Sequence, residues 1–152
     1  MPIDPANLKW YQSSQPNSSG GTISATPIPN NSPSLLFPQI SRLSLEEGRV
    51  DYRKVFFKNE EPVLALNNAG VFVLFQPTAN EHIGLALGTP TDTDGSVLTY
   101  TAPSTKAGAL MFADLSSGES QAIWIRRLVD AGQEPFITST FQLAAFGYGP
   151  TL

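Results

Sequence analysis

The sequence predicts an all-β antiparallel sandwich, and three observations carry that expectation. From Leu35 onward, seven short apolar runs recur, each separated from the next by turn residues, which is the spacing of sandwiches and barrels. No window of a dozen residues sustains an apolar period of 3.6, so helices are expected to be minor. The chain has 152 residues, and a domain of that size buries roughly 68–70% of its unfolded surface without a metal or disulfide staple.

Residues 1–34 differ from the remainder. They hold Pro2, Pro5, Pro16, Pro27, Pro29 and Pro33 with Ser13, Ser14, Ser18, Ser19, Gly20 and Gly21, and only Asp4 and Lys9 are charged. Such a stretch buries too little apolar surface to offset its own ordering entropy. Yet Ile3, Leu8, Trp10, Tyr11, Ile23 and Ile28 punctuate it, which a plain linker would lack. Residues 1–34 are therefore expected to form an extended arm that orders against neighbouring subunits, with Trp10, Tyr11, Ile23 and Ile28 as its contacts. The alternative is a leader followed by one or two edge strands. Residues 35–152 are expected to form the sandwich.

Within that domain the expected strands are Val50–Lys58, Ala69–Gln76, His82–Leu87, Ser96–Thr101, Ala107–Phe112, Ser120–Val129 and Phe136–Phe146. The segment Leu43–Gly48, with Ser44 as a cap, is the best helical candidate. In Phe136–Phe146, Ile137, Phe141, Leu143 and Ala145 share one face, while Thr138, Thr140 and Gln142 share the other. That alternation marks a half-buried strand. Two runs are apolar on both faces. Val71, Val73 and Phe75 oppose Phe72 and Leu74, and Trp124 opposes Ile123 and Ile125. A sandwich strand has one inward face, so the second must be covered by the N-terminal segment, a loop or another subunit. Phe72, Leu74 and Trp124 thereby become candidate partner contacts.

Composition restricts the chemistry. The net charge is −4 with nine scattered basic residues and a pI near 4.8, whereas phosphate binding needs clustered Lys and Arg. Nucleic acid is therefore not expected as a partner. Charged residues are 14% of the chain against a usual ~25%, which leaves much uncharged surface for burial against a partner. Without cysteine there is no thiol nucleophile or thiolate metal site. No run approaches the roughly 20 apolar residues of a membrane helix, and Met1–Trp10 lacks a signal-peptide pattern.

Catalytic constellations are equally scarce. His82 is the single histidine, so any triad would run through it alone, and a structural or exposed role is favoured. Neither a Gly-x-Ser-x-Gly elbow nor a phosphate-binding Gly-x-x-x-x-Gly-Lys loop occurs. Asp92-Thr93-Asp94-Gly95 begins like a calcium loop, but its twelfth position is Pro103 rather than glutamate. A tight Asp-Gly turn between strands is the favoured reading. Glu46-Glu47 and Glu60-Glu61 are adjacent pairs, which point to opposite faces of an extended chain. The aromatic residues Tyr52, Phe56, Phe57, Tyr100, Trp124 and Tyr148 are either core or a sugar platform. Arg126-Arg127 on an apolar strand should split, one facing outward. They serve either as edge charges or as anchors for a partner carboxylate. No catalytic residue, cofactor, metal or small-molecule substrate is expected.

Two stretches carry resemblances. Val55–Asn59 followed by Leu64–Val73 resembles the paired early strands of immunoglobulin-like sandwiches. Asp114–Ile125 resembles the Leu-x-Pro-Gly-Glu-Ser turn before a late strand of such domains, with Ser117 in place of the proline. Val50–Phe56 taken with Ala122–Arg127 is similar to small structural proteins of tailed bacteriophages, and the similarity spans about residues 35–146. It implies an immunoglobulin-like or jelly-roll-like sandwich in a virion, in the tail, baseplate or neck first and as a capsid decoration second. It implies assembly in the host cytoplasm, with other virion proteins and copies of the chain as partners. The competing expectation is a module that binds carbohydrate or a host surface.

Overall fold

The computed structural model describes residues 3–15, 20–28, 47–77, 81–132 and 141–149. Eight strands occur among them: β1 (Leu8–Gln15), β2 (Gly20–Ile28), β3 (Arg49–Asn59), β4 (Asn67–Phe75), β5 (Glu81–Leu87), β6 (Leu110–Phe112), β7 (Ser120–Val129) and β8 (Gln142–Tyr148). They form an antiparallel sandwich of a five-stranded sheet, β2-β1-β3-β7-β5, and a three-stranded sheet, β6-β4-β8. Among the described strands, successive strands from β3 to β8 alternate between the sheets, and the one hydrogen-bonded consecutive pair is β1 with β2. The immunoglobulin-like pairing expected of Val55–Asn59 with Leu64–Val73 is therefore absent, because β3 and β4 lie in opposite sheets.

Side-chain alternation sets the core. Val55 and Phe57 of β3, Ile83 and Leu85 of β5, and Ile123 and Ile125 of β7 point inward against Val71 and Val73 of β4 and Phe112 of β6. Phe141, Leu143 and Ala145 pack on the same cluster, as the alternation before and within β8 predicts. Asn59, fully buried, ties the β3–β4 corner: its amide donates to Leu64 O (2.8 Å) and Leu115 O (3.0 Å), and its carbonyl oxygen accepts from Glu61 N. This satisfies backbone groups that burial would otherwise leave unpaired. The turn at Ser116–Glu119, closed by Glu119 N to Ser116 O at 2.9 Å, leads directly into β7. Gly118 there has φ +82°, a conformation that favours glycine.

Four expectations are corrected. Residues 8–28 are not a free arm. Strands β1 and β2 are antiparallel partners, and Trp10, Tyr11 and Gln12 pair with Phe57, Phe56 and Val55 of β3, so the edge-strand alternative holds. Pro27 lies on β2, an edge among the described strands, the kind of strand to which proline is confined within sheets. Ser96–Thr101 is not a strand. Asp94 caps a 3₁₀ turn over Gly95–Val97 by accepting from Ser96 N, and only Thr101 bridges to Leu85. Asp94-Gly95 is accordingly no hairpin turn. Ala107–Phe112 contracts to Leu110–Phe112. Of the helical candidate Leu43–Gly48, residues 43–46 lie outside the described residues, as do Ile137, Thr138 and Thr140.

Candidate functional site

The two faces of the large sheet differ in fate. On its outer face Lys54 and Trp124 are cross-strand neighbours on β3 and β7, with Ala86 of β5 beyond. This face is covered by the chain itself. The connection from Gly88 to Tyr100 folds over it, and the start of β2 closes it from the other side. Three glycines press on the indole: a Cβ at Gly20, Gly88 or Gly95 would come within 2.7, 2.7 and 2.5 Å of Trp124 ring atoms. Trp124 is thus fully buried, and the loop alternative explains its second apolar face. It is not a partner contact.

Under that cover sits a charged pair. The Lys54 side chain is fully buried, with Nζ 2.6 Å from Asp92 Oδ1 and donating to Gly21 O (2.6 Å) and Asp92 O (2.9 Å). Phe56 and Trp124 flank the ammonium, their centroids 5.1 and 5.8 Å away. The Trp124 indole N–H donates to Asp92 Oδ2 at 3.0 Å. Burial pushes the Asp92 carboxyl upward, but the ammonium and the indole N–H outweigh it and hold it below the usual carboxylate range.

The arginine pair splits as the strand period requires. Arg126 faces outward with its guanidinium 5.1 Å from the Tyr100 ring centroid. Arg127 faces inward and is buried, 2.8 Å from Asp51 Oδ2 and 3.7 Å from Glu81 Oε1, with both acids also buried. Since β7 is flanked by β3 and β5, the edge-charge role fails, and the carboxylates that Arg127 anchors are the chain's own. The β1 and β2 contacts are likewise used internally. Trp10 packs on Phe57 at 5.1 Å and, with Ile28, against the core. Tyr11 donates its hydroxyl to Glu60 beneath Lys58, 5.5 Å from its ring. Ile23 is half-buried opposite Ser13. His82 is exposed, with Nε2 2.8 Å from Asp130 Oδ2.

The outer face of the small sheet is different. There β4 presents Gly70, Phe72 and Leu74, β6 presents Met111, and β8 presents Ala144, Phe146 and Tyr148. Register places Gly70 between Met111 and Phe146, and Phe72 beside Ala144. Phe72, Phe146 and Tyr148 form an aromatic ladder with centroid spacings of 6.2 and 6.4 Å. Leu74 is 42% exposed and Met111 and Tyr148 each 49%, so this is an apolar sheet face open to solvent. Phe75, expected to face inward with Val73, is also exposed because the β4–β8 register shifts between Val73 and Phe75. At one end an open depression of about 490 Å³ is lined by Asn68, Lys106, Ala107, Met111, Phe146 and Tyr148. Lys106 Nζ lies over both rings, 5.0 Å from Phe146 and 4.7 Å from Tyr148.

Of the sequence-derived contacts, only Phe72 and Leu74 meet on one open surface. Met111, Phe146, Tyr148 and Lys106 were not among them, although the outer alternation of β8 carries a signal: after polar Gln142 it continues through Ala144, Phe146 and Tyr148. Among the described residues no cluster of His, Asp and Glu is arranged to hold a metal, and no helix is long and apolar enough to cross a membrane. No family model matches the chain, and no curated protein or solved structure matches it.

Proposed function

We propose that this chain is a non-catalytic structural subunit of a protein assembly, docking through the outer face of its three-stranded sheet. The observation that carries the reading is the row of exposed Leu74, Met111 and Tyr148 with half-buried Phe72 and Phe146 between them, on a chain whose other apolar sheet face is covered internally. Contiguous apolar patches of this kind mark interaction surfaces, and aromatic residues with Met are the types enriched at interface centres. The resemblance of residues 35–146 to tailed-bacteriophage structural proteins supports a virion as the setting. Tail, baseplate or neck is the first position, with capsid decoration second, and the partners are other virion proteins and copies of the chain.

The double variant Leu74→Glu, Met111→Glu tests this. Both side chains are about half exposed, so folding stability should change by only about 0.5 kcal/mol per site. Incorporation into assembled particles should be lost, because two desolvated, unpaired carboxylates oppose docking. A folded variant that enters particles as efficiently as the parent would refute the reading. The carbohydrate alternative draws on the Asn68–Tyr148 depression. Against it, the Lys106 ammonium already covers the ring faces on which a sugar would stack.

A further inference from the structure

We propose that Lys54 and Asp92 become covalently joined by an isopeptide bond, the lysine Nζ condensing with the aspartate Cγ inside the folded chain. Four observations on this pair converge. The lysine side chain is fully buried, and its Nζ is held 2.6 Å from Oδ1. That oxygen is itself buried and takes no hydrogen bond of regular geometry, so the two groups are in contact without the alignment that would make them a settled donor and acceptor. Nζ also donates to Gly21 O and Asp92 O, which holds it in place beside the carboxyl group. The Trp124 indole N–H, 3.0 Å from Oδ2, supplies a donor where negative charge would develop in an acyl transfer.

The step balances without any further reactant. The ammonium passes one proton to Oδ1, giving a neutral amine and a neutral acid. The freed lone pair on Nζ attacks Cγ, and the carbonyl electrons move onto Oδ2, where the Trp124 N–H holds them. Collapse re-forms the carbonyl and breaks the Cγ–Oδ1 bond. The leaving hydroxyl takes a second proton from nitrogen and departs as water, leaving a secondary amide. The Asp92 side chain is 23% exposed, which gives that water an exit. Fixed proximity of the two groups replaces an external activating reagent. The depressed Asp92 carboxyl makes the ion pair the resting reactant, so the condensation is a slow maturation of the folded chain. The product ties β3 to the connection that covers it, a covalent staple in a chain without cysteine.

The test is the intact mass of the purified full-length protein, measured fresh and after storage in the folded state, and it is independent of the docking reading. The expected result is a mass lower than that of the sequence by one water. A tryptic digest should contain a branched species joining the Lys54 and Asp92 peptides, uncut after Lys54. Lys54→Arg and Asp92→Ala should restore the full mass. Asp92→Asn should still form the bond by releasing ammonia. A wild-type mass equal to the sequence mass at both times overturns the proposal and leaves an ordinary buried ion pair. A water deficit that persists in Lys54→Arg also overturns it, by placing the dehydration elsewhere, for instance as a cyclic imide at Asp94-Gly95.

Discussion

Trp124→Ala is expected to lower folding stability by about 3–5 kcal/mol, the range for emptying a large buried aromatic site. The upper end is favoured for reasons specific to this site. The indole is enclosed by backbone at Gly20, Gly88 and Gly95, none of which has a side chain that can move into the cavity. Its loss also removes the N–H donor to Asp92 Oδ2 and one aromatic face beside the buried Lys54 ammonium, so a charge pair is left less well compensated. For a chain of this length the midpoint of thermal unfolding should fall by about 10–15 °C. Trp10 remains as a fluorescence reporter, and a drop of under about 3 °C would contradict the enclosure described here. The covering connection should loosen first, visible as faster amide exchange in Gly88–Tyr100 than in β7.

The same residues show where local sequence informs and where it does not. β7 was legible to the residue, Ser120–Val129, because a dense apolar run between Gly118 and Gly132 has one interpretation as a strand. The split of Arg126 and Arg127 also followed from the strand period alone. That Trp124 is covered by the loop from Gly88, and not by a neighbour, did not follow. That cover depends on three glycines far apart in sequence that converge on one ring. Ser96–Thr101 misled because Val97 and Tyr100 look like strand residues. Val97 is instead 76% exposed, and Tyr100 lies against Tyr52 at 5.6 Å and under Arg126. Lys54 shares the outer face of β3 with Tyr52 and Phe56, and nothing local to β3 reveals the cover that buries it. The open face was half legible. Two apolar faces on β4 exposed Phe72 and Leu74, but joining them to Met111, Phe146 and Tyr148 needed the sheet order β6-β4-β8, which is a long-range pairing that no local period encodes.

Arg127→Met should cost a further 3–5 kcal/mol or so by a different route, since removing one member of a buried charge network strands the others. Asp51 and Glu81 are buried on the inner face; Arg127 reaches both, and the buried Arg53 also interacts with Asp51. Arg49, 2.9 Å from Asp51 Oδ1, holds the other oxygen of Asp51 but is 41% exposed and so contributes only a screened interaction. The network and an apolar core of the same volume are separated by a cycle of variants. If stranded carboxylates cause the loss, then adding Asp51→Leu and Glu81→Leu to Arg127→Met should recover part of it, the remainder being the cost of leaving the buried Arg53 guanidinium without Asp51. The coupling among the three sites would then be about 2–3 kcal/mol or more in denaturant unfolding. Additive losses in the triple variant would instead mean that the three side chains act as independent packing groups. In that case the inner end of the sandwich would be held by the aliphatic stems of these residues and not by the pairing of their charges.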